Sequence, residues 1–311
     1  MKQDQVSVLC IGAAHIDYKF IPYKSIIKQT SNPVKTSMNY GGVVRNVAEN
    51  LARLNIDVSL MSVLGDDLLG RQLIEEMSHL MKTNHLQQLK NQRTGQYYAV
   101  LDHEGDMEMA FADMSIYDSM NADWMIHQLA NAPTYDYYVA DMNVQKSALN
   151  VLIHWTNTHH NKLIIVGVSE PKMANLPKNL KDVFLLICNQ KEARALFDQM
   201  NLTDNQLIES LKSLGIKHVI LTNGIQPIIY IGEDKVIYHN INHLVPNEMI
   251  DTTGAGDAFS AGVIFGLIHD KSILEALNDG VANASLVIKS KDSVRQDLNI
   301  DILFQEVVKN E

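Results

Sequence analysis

Short apolar runs of five to seven residues alternate along this chain with segments whose apolar residues recur at helical spacing, and that alternation leaves few folds open. Strands joined through helices pair in parallel and need cover on both faces, so the pattern predicts an α/β sheet protein. The first run, Val6 to Ile11, stops at Gly12, and the segment from Gly42 then sets Val43, Val47, Leu51 and Leu54 on one helical face. A second unit follows: Asp57 to Val63, a Gly65-Asp66-Asp67 turn, and Leu69, Leu73, Met77 and Leu80 at helical spacing.

The middle of the chain breaks this rhythm. TGQYYAVLD (94–102) and MEMAFAD (107–113), separated by a turn containing Gly105, read as a β-hairpin, a candidate lid inserted into the βα series. From Asn121 the alternation resumes with a helix carrying Trp124 and Leu129, the strand YDYYVAD, a helix over Lys146 to Thr158, and the strand KLIIVGV. After LLICN a helix carries Ala193, Leu196 and Phe197, and Thr203 to Gln206 has the form of a capping box. The strand KHVILT, a hairpin across Gly232-Glu233-Asp234 and three helical segments follow. With no repeat and no Pro/Gly-rich linker, one domain over 1–311 is expected, its lid strands falling within about 14–40 and 94–113.

Charge narrows the partners. Thirty-six acidic against 26 basic side chains give a net charge of −10, which argues against a nucleic-acid polymer, since such surfaces cluster Lys and Arg. No apolar run is long enough to span a membrane and the first residues show no secretory signal, so no membrane partner is expected. The two cysteines, Cys10 and Cys188, each sit in an apolar stretch and read as buried free thiols, which points to a reducing cytoplasm.

The chemistry concentrates in DTTGAGDAFSAG, residues 251–262. The glycines stand where a helix begins, and the unpaired N–H groups of that first turn, with the helix dipole, form a site for a phosphate or a developing anion. Asp257 falls beside it. A dipole lowers a carboxyl pKa and makes a weak base, yet phosphoryl transfer has a loose transition state in which the hydroxyl proton moves late, so an oriented carboxylate suffices. Acidic residues also favour helix starts for structural reasons alone. There is no GxxxxGK[ST], HExxH, CxxC pair or GxSxG, and Phe259 stands where a dinucleotide fingerprint needs a third glycine.

DTTGAGDAF together with GGVVRNVAENLARL at 41–54, some 200 residues apart and in this order, resembles the ribokinase-like, or phosphofructokinase-B, family of sugar kinases. Arg45, Asn46, Glu49 and Asn50, with FADMSIYDSM and Asp141-Met142-Asn143-Val144, make the chain most similar within it to pseudouridine kinases. The resemblance implies a three-layer α/β fold with a mostly parallel central sheet and a small β-sheet lid. It implies ATP-dependent phosphorylation of the 5′-hydroxyl of pseudouridine, with Mg2+ as cofactor and K+ as a further candidate. A kinase for ribose or another ribonucleoside, and a catalytically silent nucleoside sensor, stay open as alternatives. Edge strands of such a lid pair readily, so a homodimer is expected.

Site roles follow from the same resemblance. Asp257 matches the catalytic base, and the amides of Gly254, Ala255 and Gly256 the anion hole. Asp17, expected at the end of the first strand, matches the aspartate that binds sugar hydroxyls; Gly41, Gly42, Asn46, Asp141 and Asn143 complete the substrate cradle. Asn189 and Glu192 match an NxxE element that organises magnesium through water, although a helix cap would look the same in sequence. Thr222 and Gly224 match the nucleotide-phosphate loop, Asn283 the helix bordering the adenine pocket, and Asp251 and Thr253 a monovalent-cation loop. Two positions depart from the family: Gly167-Val168-Ser169 lacks a usual acidic residue, and Asn143 stands where ribokinases have a glutamate.

Overall fold

Neighbouring residues of each apolar run point to opposite faces of a sheet, and each face meets a different core. In β1 (Ser7–Ile11), Val8 and Cys10 belong to one buried cluster, Leu9 and Ile11 to the other. The computed structural model describes residues 5–104, 106–197, 201–241 and 249–310, and within them this division repeats along the sheet.

After β1 come β2 (His15–Pro22), β3 (Val34–Gly41), α1 (Val43–Arg53), β4 (Asp57–Gly65), α2 (Leu68–Ser78) and β5 (Lys82–Leu89). The hairpin β6 (Gln96–Leu101) and β7 (Met107–Asp113) precedes α3 (Ala122–Asn131), β8 (Tyr137–Asp141), α4 (Lys146–Thr158) and β9 (Lys162–Val166). Then follow β10 (Leu185–Asn189), α5 (Gln190–Ala195), α6 (Asp204–Lys212), β11 (His218–Thr222), β12 (Ile228–Ile231) and β13 (Val236–His239). The helices α7 (Ala255–Ile268), α8 (Ile273–Ile288) and α9 (Ile300–Asn310) close the series.

Nine strands form the large sheet in the order β13-β12-β11-β10-β9-β8-β1-β4-β5, all running the same way except β12, which pairs antiparallel with both β11 and β13. Helices α1, α2, α7, α8 and α9 pack on the face of Val8 and Cys10; α3, α4 and α6 cover the face of Leu9 and Ile11. The result is the three-layer α/β architecture that the alternation predicts. Thr203 and Gln206 form the expected capping box of α6. Edge strand β5 has no counterpart in the sequence reading, because its KTNHLQQL has one buried residue and no apolar run. Gly105 lies outside the described residues.

Strands β3, β2, β6 and β7 form a separate four-stranded sheet in that order. Asp17 belongs here, as the third residue of β2, rather than to the end of β1 as the sequence suggested; the chain leaves the large sheet at Gly12 and has re-entered β structure by His15. Cross-strand register sorts this sheet's side chains into two faces. One carries Asp17, Lys19, Asn39 and Tyr97; the other carries Met38, Tyr18, Tyr98 and Phe111 as a continuous row. Cys10 and Cys188 are both buried and free. Among the described residues no helix is long and apolar enough to cross a membrane.

Candidate active site

Helix α7 starts at Gly254, whose φ of 82° is left-handed and whose position admits no side chain: a Cβ there would lie 2.1 Å from the Ser293 carbonyl oxygen. Gly256 faces open space. The Ala255 N–H donates to the Thr252 carbonyl at 3.2 Å, so the anion-hole role narrows to the amides of Gly254 and Gly256, for which no acceptor is described.

Asp257 stands in the first turn of α7. Burial raises its carboxyl pKa, the Asp141 and Asp17 charges raise it further, and the Asn46 bond and Arg45 oppose them; the net result is pushed up to about 7. The sequence expectation of a carboxyl lowered by the helix dipole is thus reversed: desolvation and like charge raise it. Asn46, on α1, donates Nδ2 to Asp257 Oδ2 at 2.7 Å. The sequence placed Asn46 among substrate ligands; in the structure its amide is bonded to Asp257.

The sugar-binding candidates divide. Asp17 lines a cleft of about 920 Å³ with Lys19, Asn39, Tyr97, Asp251 and Thr252, and His15 Nε2 lies 3.0 Å from Asp17 Oδ1. Gly41 makes room for Asp17, because a Cβ at Gly41 would sit 2.2 Å from its carboxylate. Gly42, with φ 111°, lies against the Ala13 carbonyl, 2.1 Å from where a Cβ would be, and opens α1. Asp141 is completely buried; its carboxylate accepts the N–H groups of Ala13 and Val44 at 3.2 Å and of Asn143 at 2.8 Å. Asp141 therefore ties β1, α1 and β8 together beneath the site, a correction to its assignment as a substrate ligand. Asn143, buried just after β8, supplies one of those amides.

A second, apolar cavity of about 230 Å³ lies between β11, α7 and α8, lined by Thr222, Gly224, Phe259, Val281, Ala284 and Gly256. Thr252 and Met249 border both cavities, so the two meet at the loop entering α7. Thr222 and Gly224, assigned to a phosphate loop, line this cavity. Asn283 does not: it is wholly buried on the α1 side of α8, donating Nδ2 to Asn50 Oδ1 at 3.0 Å and the Ala258 carbonyl at 2.8 Å. Its neighbours Val281 and Ala284 face the cavity instead.

Asn189 and Glu192 form a capping box on α5, with both bonds at 2.9 Å, and Glu192 is buried rather than exposed. Gly167 explains the missing acid, since a Cβ there would meet Glu192 Oε2 at 2.3 Å. Burial, with the nearby Glu170 charge, raises the Glu192 pKa against the Asn189 bonds, and no Lys or Arg pairs with it among the described residues. Such a carboxylate fits a hydrated divalent cation. Asp251 and Thr253 do not fit a monovalent one. Asp251 Oδ2 is paired with Lys19 Nζ and Oδ1 accepts the Thr253 N–H at 2.8 Å, while Thr253 Oγ1 lies 3.3 Å from the same ammonium. Burial works against the Asp251 charge, but the Lys19 and Thr253 bonds win and hold its pKa below the usual range.

Lys19 and Arg45 escaped the sequence reading. The spacing Asp17-x-Lys19 in a strand, which puts both on one face, was the available signal for the first. Arg45 was seen only as part of a motif.

A model of the pfkB family of carbohydrate kinases matches residues 5–298. The pseudouridine kinase of Escherichia coli (strain K12) is 25% identical over 301 residues, 94% of this chain and 94% of its own. The guanosine-inosine kinase of Exiguobacterium acetylicum is also 25% identical, across 92% of this chain and 95% of its own. A solved carbohydrate kinase from Agrobacterium tumefaciens shares the fold with a TM-score of 0.80 and 25% identity, covering 97% of each chain. Fold and site thus define a phosphotransferase that acts on an alcohol hydroxyl. The chain belongs to the pfkB family, the ribokinase-like carbohydrate and nucleoside kinases.

Proposed function

We propose that this protein transfers the γ-phosphoryl group of ATP to the 5′-hydroxyl of pseudouridine, giving pseudouridine 5′-phosphate and ADP. The observation that carries the reading is the meeting of two cavities at the start of α7, one polar and facing Asp17, one apolar and facing Phe259, with Asp257 and the free amides at that helix start. The apolar cavity suits an adenine ring and the polar cleft the acceptor. At about 920 Å³ the cleft is at the upper end of small-molecule sites, which favours a nucleoside over a free pentose. The GGVVRNVAENLARL segment and the E. coli relative favour pseudouridine among nucleosides.

In this reading the acceptor oxygen forms its bond to the γ-phosphorus as the bond to the β,γ-bridging oxygen breaks. The hydroxyl proton passes to Asp257, and the Gly254 and Gly256 amides stabilise the charge on the transferring group. Asp17 accepts hydrogen bonds from sugar hydroxyls. Asn189 and Glu192 would hold a hydrated magnesium ion, which would supply positive charge toward the phosphates. Lys19 keeps the Asp251 carboxylate occupied, so no monovalent ion enters the scheme. The four-stranded sheet acts as a lid that excludes water. Its outer row of Met38, Tyr18, Tyr98 and Phe111 is covered by a second copy of the chain, and the two buried free thiols suit a reducing cytoplasm.

The relative that phosphorylates guanosine and inosine gives a second reading, a purine ribonucleoside kinase. ADP release measured with pseudouridine, uridine, guanosine, inosine, ribose and fructose 6-phosphate decides between them. Pseudouridine is expected to give the highest kcat/KM. A much higher value for another acceptor rejects it, and no turnover with any leaves a silent binding protein.

A further inference from the structure

Arg45 carries a guanidinium, 3% exposed, that none of the roles above employs. From α1 it donates Nη1 to Asn46 Oδ1 at 2.8 Å and to the Tyr40 carbonyl at 3.0 Å, and Nη2 pairs with Glu49. Glu49 is also held by Arg53, through Nε at 2.9 Å and Nη2 at 2.7 Å. A side-chain amide has one accepting end and one donating end. With Asn46 Oδ1 committed to Arg45, its NH2 must face Asp257, and it does, at 2.7 Å.

We propose that Arg45 is a positioning residue that fixes the orientation of the Asn46 amide so that Asp257 is kept as a proton acceptor. Turned by 180°, Asn46 would present its carbonyl oxygen to the carboxylate. Two acceptors face each other comfortably only if Asp257 carries a proton, so the flipped amide would convert the base into a hydrogen-bond donor. The charged surroundings make this orientation matter. Asp141 from the end of β8 and Asp17 from β2, with His15 beside it, face Asp257 and favour its neutral form; Arg45 and Asn46 on α1 oppose them. Arg45 never touches substrate in this scheme and acts through Asn46. The inference rests on Asp257 being the base.

Arg45→Met keeps the aliphatic stem, removes the donors and leaves Glu49 held by Arg53. In the full-length protein the acid limb of kcat/KM is expected to move to higher pH by about one unit, the scale of a lost charge-assisted bond. Activity should therefore fall roughly fivefold at pH 7, approach a tenfold loss below it, and recover at pH 9, a rescue that loss of a merely structural contact would not give. In an Asn46→Ala background, Arg45→Met should add less than about twofold, because the relay is already cut. An unshifted acid limb in a folded variant, a loss that persists at pH 9, or effects that multiply in the Asn46→Ala background would each overturn the proposal. If Arg45→Met loses its cooperative melting transition, Arg45→Lys carries the same test, with a smaller shift in the same direction expected and an unshifted limb again overturning it. Turnover by Asp257→Asn separates the two readings: an active Asp257→Asn variant removes the base itself, whereas an inactive one beside an unshifted Arg45 variant removes only the relay.

Discussion

At the scale of single residues, the setting of Asp257 was legible because it is spelled locally: glycines, a helix start and a carboxylate within a few positions. The pKa of Asp257 was not legible, since burial raises it most and the charges that add to that come from Asp141 and Asp17, far away in sequence. Asp141 and Asn283 were misplaced for the same reason; whether a polar side chain faces a cavity or is consumed by buried partners depends on what packs against it. Asp257→Asn should lower kcat by about 10²–10⁴-fold. In the wild type, kcat/KM should rise with pH through about 7 as the base loses its proton. Stability should move the opposite way. A carboxyl whose pKa is raised on folding costs stability above its folded value and nothing below its unfolded one. Thermal melts at pH 8 should therefore show Asp257→Asn more stable than the wild type, with the gap closing toward pH 4. Gly254→Ala tests the helix start: left-handed φ and the Ser293 carbonyl predict a loss of roughly 1–3 kcal/mol in denaturant melts, with turnover falling as the amides shift.

At the scale of elements, most strands and helices of the large sheet were readable from periodicity because the inner strands are buried on both faces and appear as apolar runs. Strand β5 lacked that signal at the sheet edge, and β2 hid its significance by placing Asp17 and Lys19 side by side over the cleft. Lys19 ties the second sheet to the loop that enters α7, through Asp251 and Thr253. The pair is partly exposed, so Lys19→Met should cost about 1 kcal/mol of stability or less, seen as a small shift in melting temperature. Its effect on the acceptor should be larger: KM for the nucleoside rises severalfold while KM for ATP stays near its wild-type value, because the tie anchors the sheet that carries Asp17. Equal changes in both constants would deny Lys19 that role.

At the scale of the whole molecule, a net charge of −10 requires that a bound polyphosphate find local positive potential, and helix-start amides are one source of it. Sequence composition set that requirement, and α7 shows where the amides are. The outer face of the four-stranded sheet poses the opposite problem, with Met109 and Phe111 exposed in a register that continues across all four strands. The row itself could not be read before the strands were paired. Light scattering should give twice the chain mass of 34.9 kDa for the wild type and the single-chain mass for Phe111→Lys. A monomeric wild type would reject the homodimer.

The two cavities share Thr252 and Met249 as a common wall, so their contents are neighbours rather than strangers. One molecule bearing a nucleoside at one end and adenosine at the other, linked by a short run of phosphates, could then occupy both rooms at once. Its second end would bind at the effective concentration set by the tether rather than by the solution, and affinity would depend on linker length, passing through an optimum that measures the distance between the rooms.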